Sequence, residues 1–336
     1  MKCTTPGTAL LGWSRLSRTL GGAGLLLASL AATETPPARR FTAEQIHFGS
    51  LVRITVYAGE SNQAVHAFQA ASARIDDLGR RLSDYNPDSE LNTLCRQAGR
   101  GPVWVSDDLF RVIEASIAVS RATGGAFDVT TGAVNRLWRR AREEARSPDP
   151  EALRTALALS GYEKVVLDAE TRTVSLQQPG MQLDLGGIAK GFIADEALAV
   201  LRAHGLPRAL VAVAGDIAAG DPPPGEDAWR IGVDSPPVIA LRNRGVSTSG
   251  DRERFLEHQG VRYSHIVSPS SGRGLSDDLT VTVVAESAMS ADAWATAVRV
   301  LGIARAAPLL RERPEITVAT AAGAAPGRPE SDAAVQ

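Results

Sequence analysis

Residues 182–205 read QLDLGGIAKGFIADEALAVLRAHG, and the fold turns on how they are divided. The first four residues read as a short strand, and Gly186-Gly187 follow directly. An apolar periodicity of three to four then carries a helix over 189–204, which Gly205 stops. A second strand, 210–213, ends in Ala214-Gly215-Asp216. The turn is neither a Walker loop nor GxGxxG, so it does not announce a P-loop or dinucleotide-binding fold. Glycines at this point let a ligand approach the backbone, and the helix start offers free N–H groups to an anion. Lys190 sits near that positive end, where a lysine is normally disfavoured, which points either to an external anion such as a phosphate or to a tight βα turn carrying a surface lysine.

Working outward, strand patterns fall at 51–56, 165–167, 173–176, 229–233, 262–267, 280–285 and 316–319. Helical patterns fall at 62–82, through Val65, Phe68, Ala71, Ile75 and Leu82, and at 107–122, 130–143 and 290–301. Ser106 caps the second of these helices, with Asp107 and Asp108 in its first turn. Residues 147–150 read as a loop. Hairpin signals outnumber crossovers, and helices and strands do not alternate strictly. The chain is therefore expected to be α+β, with mixed, largely antiparallel sheets and packed helices.

Length and charge narrow the function. The 336 residues carry 44% hydrophobic side chains and a formal net charge of −2, and show no basic patch with interleaved aromatics, so nucleic acid is not an expected partner. Residues 1–31 hold Lys2, Arg15 and Arg18, no acid, and the apolar run LGGAGLLLASL. That is a secretory signal pattern, with an apolar run too short to span a membrane. The protein is expected to be exported and periplasmic, or tethered to the inner membrane if the signal stays on. Residues 32–45 read as a spacer, 46–320 as the catalytic domain and 321–336 as a disordered tail. Cys95 is then the sole mature cysteine; its apolar neighbours Leu91 and Leu94 mark it as a buried, inert thiol.

Three further segments carry chemistry. In SADAWATAVRVLG (290–302), Asp292 and Thr296 are four apart and share a helix face. Two oxygens with one charge suit Mg²⁺, which keeps waters and takes its other ligands from phosphates; a helix cap with a back-bonded threonine remains the plainer alternative. In GGAFDVTTG (124–132), Asp128 or Thr130 reads as a cap. His265, placed within an alternating strand, is structural unless it faces a cleft, where its near-neutral pKa would suit proton transfer.

Eight segments in order resemble the FAD:protein FMN transferases, the ApbE-type flavin transferases. They are IHFGSLVRITVY (46–57), LSDYNPDSELNTL (82–94), GGAFDVTTGAVNRLW (124–138), LDLGGIAKGF (183–192), AVAGDIAAG (212–220), VSTSGDRERF (246–255), YSHIVSPSSG (263–272) and ADAWATA (291–297). The resemblance implies a T-fold-like α+β domain of two interleaved subdomains around a central FAD cleft. It implies Mg²⁺ held by Asp292, Thr296 and the Gly187 carbonyl. It implies FAD contacts from Phe48, Tyr85, Ala126, Phe127, Asp128, Asp184 and Lys190, with His265, Asp292 and Lys190 in catalysis. The acceptor would be a flavoprotein carrying an Asp-Gly-x-Ser/Thr-Gly-Ala-Ser/Thr type motif, in a membrane redox complex or an exported reductase. Phe48, Ala214, Ser268 and Arg139 depart from the family pattern. An Mg²⁺-dependent FAD pyrophosphatase and a non-catalytic FAD-binding protein remain as alternatives.

Overall fold

The computed structural model describes residues 37–232, 238–250 and 255–322. The signal segment, residues 251–254 of the VSTSGDRERF stretch and most of the expected tail lie outside the described residues. In chain order, β1 (Arg39–His47) and β2 (Ser50–Ala58) precede α1 (Ser61–Leu82) and α2 (Glu90–Arg96). Then come β3 (Val103–Trp104), α3 (Asp107–Ala122), α4 (Gly132–Glu143), α5 (Pro150–Ala158), β4 (Val165–Asp168) and β5 (Thr173–Leu176). The next elements are α6 (Ala189–Ala203), β6 (Ala209–Val213), β7 (Asp216–Ala219), β8 (Trp229–Ile231), β9 (Ile239–Leu241) and β10 (Arg244–Ser249). The chain continues through β11 (Phe255–His258), β12 (Val261–Ser264), β13 (Leu279–Ala285), α7 (Ala288–Leu301), α8 (Ile303–Arg311) and β14 (Thr317–Ala322).

The main sheet has seven strands in the order β1-β2-β6-β7-β10-β13-β14, and every neighbouring pair is antiparallel. The α+β expectation holds. Helices α6 and α7 pack on this sheet, and α1 packs on α6. What lets α7 come so close is its small-residue face (Ala288, Ala291, Ala295) and two glycines. A Cβ on Gly191 would stand 2.2 Å from the Ala288 carbonyl oxygen, and one on Gly245 would stand 2.1 Å from the Ala288 nitrogen. A side chain at Gly191 would push α7 off α6 and one at Gly245 would push it off the sheet, and with it Asp292.

Two hairpin tips mark one end of this sheet. Phe48-Gly49 joins β1 to β2 and Ala214-Gly215 joins β6 to β7, all four with positive φ, as tight two-residue hairpins require. Ala214 N–H donates to the Leu51 carbonyl at 3.1 Å, so the tips lie side by side. A second apolar cluster gathers Val134, Trp138 and Ala141 of α4, Ala156 of α5, Leu256 of β11 and Val267. The Trp138 indole N–H donates to the Gly272 carbonyl at 2.7 Å, tying α4 to the loop after β12.

Several local expectations are corrected. Residues 39–45 are not spacer but most of β1, an edge strand whose mostly exposed side chains hide its period. Residues 182–185 form no strand: their bonds go to the segment before α4, through Gly132 N–H to Gln182 O at 3.1 Å and Asp184 N–H to Val129 O at 2.8 Å, with only a parallel bridge from Thr131 to Gln182. Pro150 does not end a loop but opens α5, with Asp149 as N-cap. Val65 is exposed, because the buried stripe of α1 runs through Ala64, Ala67, Ala71, Ile75 and Leu78. Ala321 and Ala322 belong to β14 rather than to the tail.

Candidate active site

Helices α6 and α7 meet near their N-terminal turns and form a charged cluster. Lys190 of α6 places its Nζ 2.6 Å from Asp216 Oδ2 and 3.2 Å from Asp292 Oδ2. The Gly191 N–H donates to the same Asp292 oxygen at 3.2 Å, and the Ser247 hydroxyl donates to Asp216 Oδ1. The two carboxylates are almost wholly buried, while a third of the Lys190 side chain is exposed. Burial, followed by the neighbouring Asp216 charge, pushes the Asp292 carboxyl up to about 7, even with Lys190 and Gly191 pulling the other way. Burial also opposes the Lys190 charge, but the two carboxylates outweigh it and hold the ammonium above its ordinary value. The pocket is thus short of positive charge for two buried carboxylates.

One helical turn on, the Thr296 hydroxyl lies 3.3 Å from the Ser249 hydroxyl. Gly187 is pressed against it: a Cβ there would meet Thr296 Oγ1 at 3.1 Å and the Phe127 ring at 3.3 Å. The Asp292 carboxylate and the Thr296 hydroxyl, one turn apart on α7, thus stand near the Gly187 backbone and offer oxygen donors. Such a set fits a hard divalent cation that keeps waters and shares a diphosphate, and an added cation would relieve the charge shortage at Asp292. Among the described residues no group of three or more His, Cys, Asp or Glu side chains could hold a metal by itself.

A second polar cluster lies at the other end of the 184–187 turn. Asp184 accepts from Gly186 N–H at 2.8 Å and from Asn135 Nδ2 at 2.9 Å. Arg139, one turn further along α4, donates to Asp84 Oδ2 at 2.6 Å and lies 3.7 Å from Asp184 Oδ2. Its guanidinium also stacks 3.7 Å above the Tyr85 ring. Burial and the nearby Asp184 raise the Asp84 carboxyl, against the pull of Arg139. The turn carrying Tyr85 is held by Asn92, whose Nδ2 donates to the carbonyls of Ser83, Asp84 and Asn86 and whose Oδ1 accepts from Arg136.

The structure thus gathers Lys190, Gly187, Asp292, Thr296 and Phe127 in one place, with Asp184 and Tyr85 joined to them through the glycine turn. The rest stand apart. Phe48 rests its ring on Gly79 of α1. Asp128 caps no helix: its carboxylate accepts from the Thr130 N–H and hydroxyl and from Tyr162 N–H, holding the loop that begins at half-buried Ala126. His265 is not inside a strand; β12 ends at Ser264, and the half-buried His265 follows in a bend. Cys95 is buried as expected, its thiol raised by burial and its sulfur accepting from Leu183 N–H. Asp216, Ser247, Ser249 and Asn135 fall inside the quoted segments and Arg139 one residue past one of them, but nothing in their spacing reveals which partners they meet.

Comparison with known proteins identifies the family. The ApbE family model matches residues 48–320. A FAD:protein FMN transferase of Treponema pallidum is 36% identical over 83% of each chain, and one of Klebsiella pneumoniae is 33% identical over 83% of this chain and 88% of its own. Among solved structures, the ApbE protein of Thermotoga maritima superposes with a TM-score of 0.76 at 29% identity, covering 85% of this chain and 97% of its own. The flavinyl transferase ApbE of Pseudomonas stutzeri gives 0.74 at 28%, covering 85% of this chain and 95% of its own. A match over this length, with the charged helix pair and the glycine turn inside it, means that the chain belongs to the ApbE family.

Proposed function

We propose that the protein is an exported, Mg²⁺-dependent FAD:protein FMN transferase. The observation that carries this reading is the convergence of Asp292, Thr296 and Gly187 beside Lys190, an oxygen cradle short of positive charge and built to receive a cation together with a diphosphate. Asp292, Thr296 and the Gly187 carbonyl would hold Mg²⁺, which when bound would draw off negative charge from the phosphate oxygens.

Lys190, fixed by Asp216 and Asp292, holds a positive charge at the edge of that cradle, where charge grows as the phosphorus is attacked. Asp184, Tyr85 and the 126–128 segment line the dinucleotide's course, with Phe48 at its far edge. A Thr or Ser hydroxyl of the acceptor attacks the FMN-side phosphorus, and the new O–P bond replaces the bond to AMP, which leaves with the bridging oxygen. His265 takes the hydroxyl proton. The acceptor is an exported flavoprotein with the Asp-Gly-x-Ser/Thr-Gly-Ala-Ser/Thr type motif, in a membrane redox complex or a periplasmic reductase.

The test mixes purified protein, FAD, Mg²⁺ and such an acceptor domain, and weighs the acceptor. A gain of one FMN is expected, abolished by chelation and by Asp292→Ala with the circular dichroism spectrum unchanged. Free FMN with no acceptor gain would replace transfer with FAD hydrolysis; full transfer by Asp292→Ala would remove the metal assignment.

A further inference from the structure

Arg139 makes three contacts from one guanidinium, and they join parts of the site far apart in sequence. It donates to Asp84 at 2.6 Å, approaches Asp184 to 3.7 Å and covers one face of the Tyr85 ring at 3.7 Å. Asp84 and Asp184 are largely buried, yet Tyr85 between them is 65% exposed. A large aromatic left open to water is ordinary on a mobile loop. Here the loop is not free to move, because Asn92 pins three of its carbonyls and Arg136 pins Asn92. With one face stacked on a planar cation and the backbone locked, the ring is a fixed shelf with its other face open. Such a shelf suits a flat heteroaromatic.

The same guanidinium reaches Asp184, whose other oxygen holds the Gly186 N–H directly before Gly187. The distance from shelf to cation cradle is therefore set through one side chain. We propose that Arg139 is a positioning residue for the isoalloxazine ring of FAD: it backs Tyr85 and sets the shelf's place relative to the 184–187 turn. This inference rests on the FAD reading of the site, and it predicts that the flavin end of the ligand, not the adenine end, depends on Arg139. An ion-pair role alone would make no such distinction.

The experiment compares FMN and ADP as separate probes on wild type, Arg139→Ala and Arg139→Lys, by fluorescence quenching and calorimetry. Arg139→Ala should weaken FMN about tenfold and leave ADP within about twofold. Arg139→Lys, which keeps the charge but loses the planar fork, should fall between. In steady state the KM for FAD should rise while kcat stays within about threefold. In a Tyr85→Ala background, Arg139→Ala should cost nothing further on FMN. Equal losses of FMN and ADP would reduce Arg139 to a general structural residue and overturn the proposal. Unchanged FMN affinity would also overturn it, and tighter FMN binding in Arg139→Ala would show that the guanidinium blocks the ring. Wild type binding neither probe would sink the FAD reading itself; wild type binding both while the variants match it would sink this inference alone.

Discussion

Two places in the molecule set one cation between two carboxylates, and they do it differently. Around Lys190, Asp216 and Asp292 keep only 4% and 3% of their side chains exposed, and the ammonium is a compact charge shared between them. Around Arg139, Asp84 and Asp184 keep 9% and 13%, only Asp184 has neutral donors as well, and the guanidinium spends one face on an aromatic ring. Lysine suits the first place because a point charge at the end of a flexible stem can bind two oxygens and still yield to a newcomer. Arginine suits the second because its planar fork holds geometry. Charge is concentrated where a cation and phosphates are to be received; shape is fixed where a ring is to lie.

The largest expected effect separates the two clusters by stability. Lys190→Met leaves two buried carboxylates without their counter-ion and should cost about 3 kcal/mol, the low end for a broken buried pair because the lysine is partly exposed. Arg139→Met leaves Asp184 its Asn135 and Gly186 donors, but leaves Asp84 only the less direct charge of Arg136, and should cost about 2 kcal/mol. Urea unfolding at neutral pH measures both. Equal losses would erase the distinction between the two clusters.

That distinction was half legible in the sequence. Asp184, Lys190, Asp292 and Thr296 could be picked out because each sits in a short, glycine-punctuated or four-spaced segment. Helices α1, α3, α6 and α7 were readable from period and caps, as with Ser106 accepting from Leu109 N–H. Asp216 and Arg139 could not be assigned. Asp216 meets Lys190 only because antiparallel pairing carries the Ala214-Gly215 tip to the start of α6. Arg139 looks like any charged residue on an exposed helix until Tyr85 and Asp84 arrive from another segment. Strand β1 is not legible because an edge strand whose side chains are mostly exposed on both faces need not alternate. Residues 182–185 were misread because an extended segment looks like a strand whether or not a ladder takes up its bonds. The start of α5 is written in the sequence, since Asp149-Pro150 is a cap followed by a first-turn proline.

A middle-sized effect concerns a third, half-buried carboxylate, which among the described residues has no cation bonded to it. Asp195 of α6 accepts from the N–H groups of Ala288 and Met289 at 2.9 and 2.8 Å, capping α7 from the neighbouring helix. Burial outweighs those two bonds and pushes its carboxyl up to about 6, against 3.8 for the ordinary group. Between those values the folded state holds a proton that the unfolded state has released. Stability from Asp195 is therefore complete below the ordinary value and is lost as pH rises through about 6. Relative to Asp195→Asn, which keeps an acceptor oxygen and cannot ionise, wild type should lose about 2 kcal/mol between pH 4.5 and 7. Parallel profiles for the two proteins would mean that the helix N-terminus compensates the buried charge as well as a lysine does, and that burial is not what separates the clusters.

The smallest effect asks whether α4 serves its two sides independently. Arg139 faces Asp84 and Tyr85; the preceding Trp138 faces the hairpin before His265, with its indole N–H on the Gly272 carbonyl and its ring 5.3 Å from Tyr263. Trp138→Phe keeps the apolar contact and strands one buried carbonyl, a loss of about 1 kcal/mol. If the flavin shelf and the His265 hairpin are held separately, this variant should leave FMN affinity unchanged and lower kcat for transfer severalfold. Its stability loss should then add to that of Arg139→Met within about 0.5 kcal/mol. A double variant well outside that sum would show that α4 moves as one lever, and that the shelf and the proton acceptor are set by the same helix position rather than by two side chains.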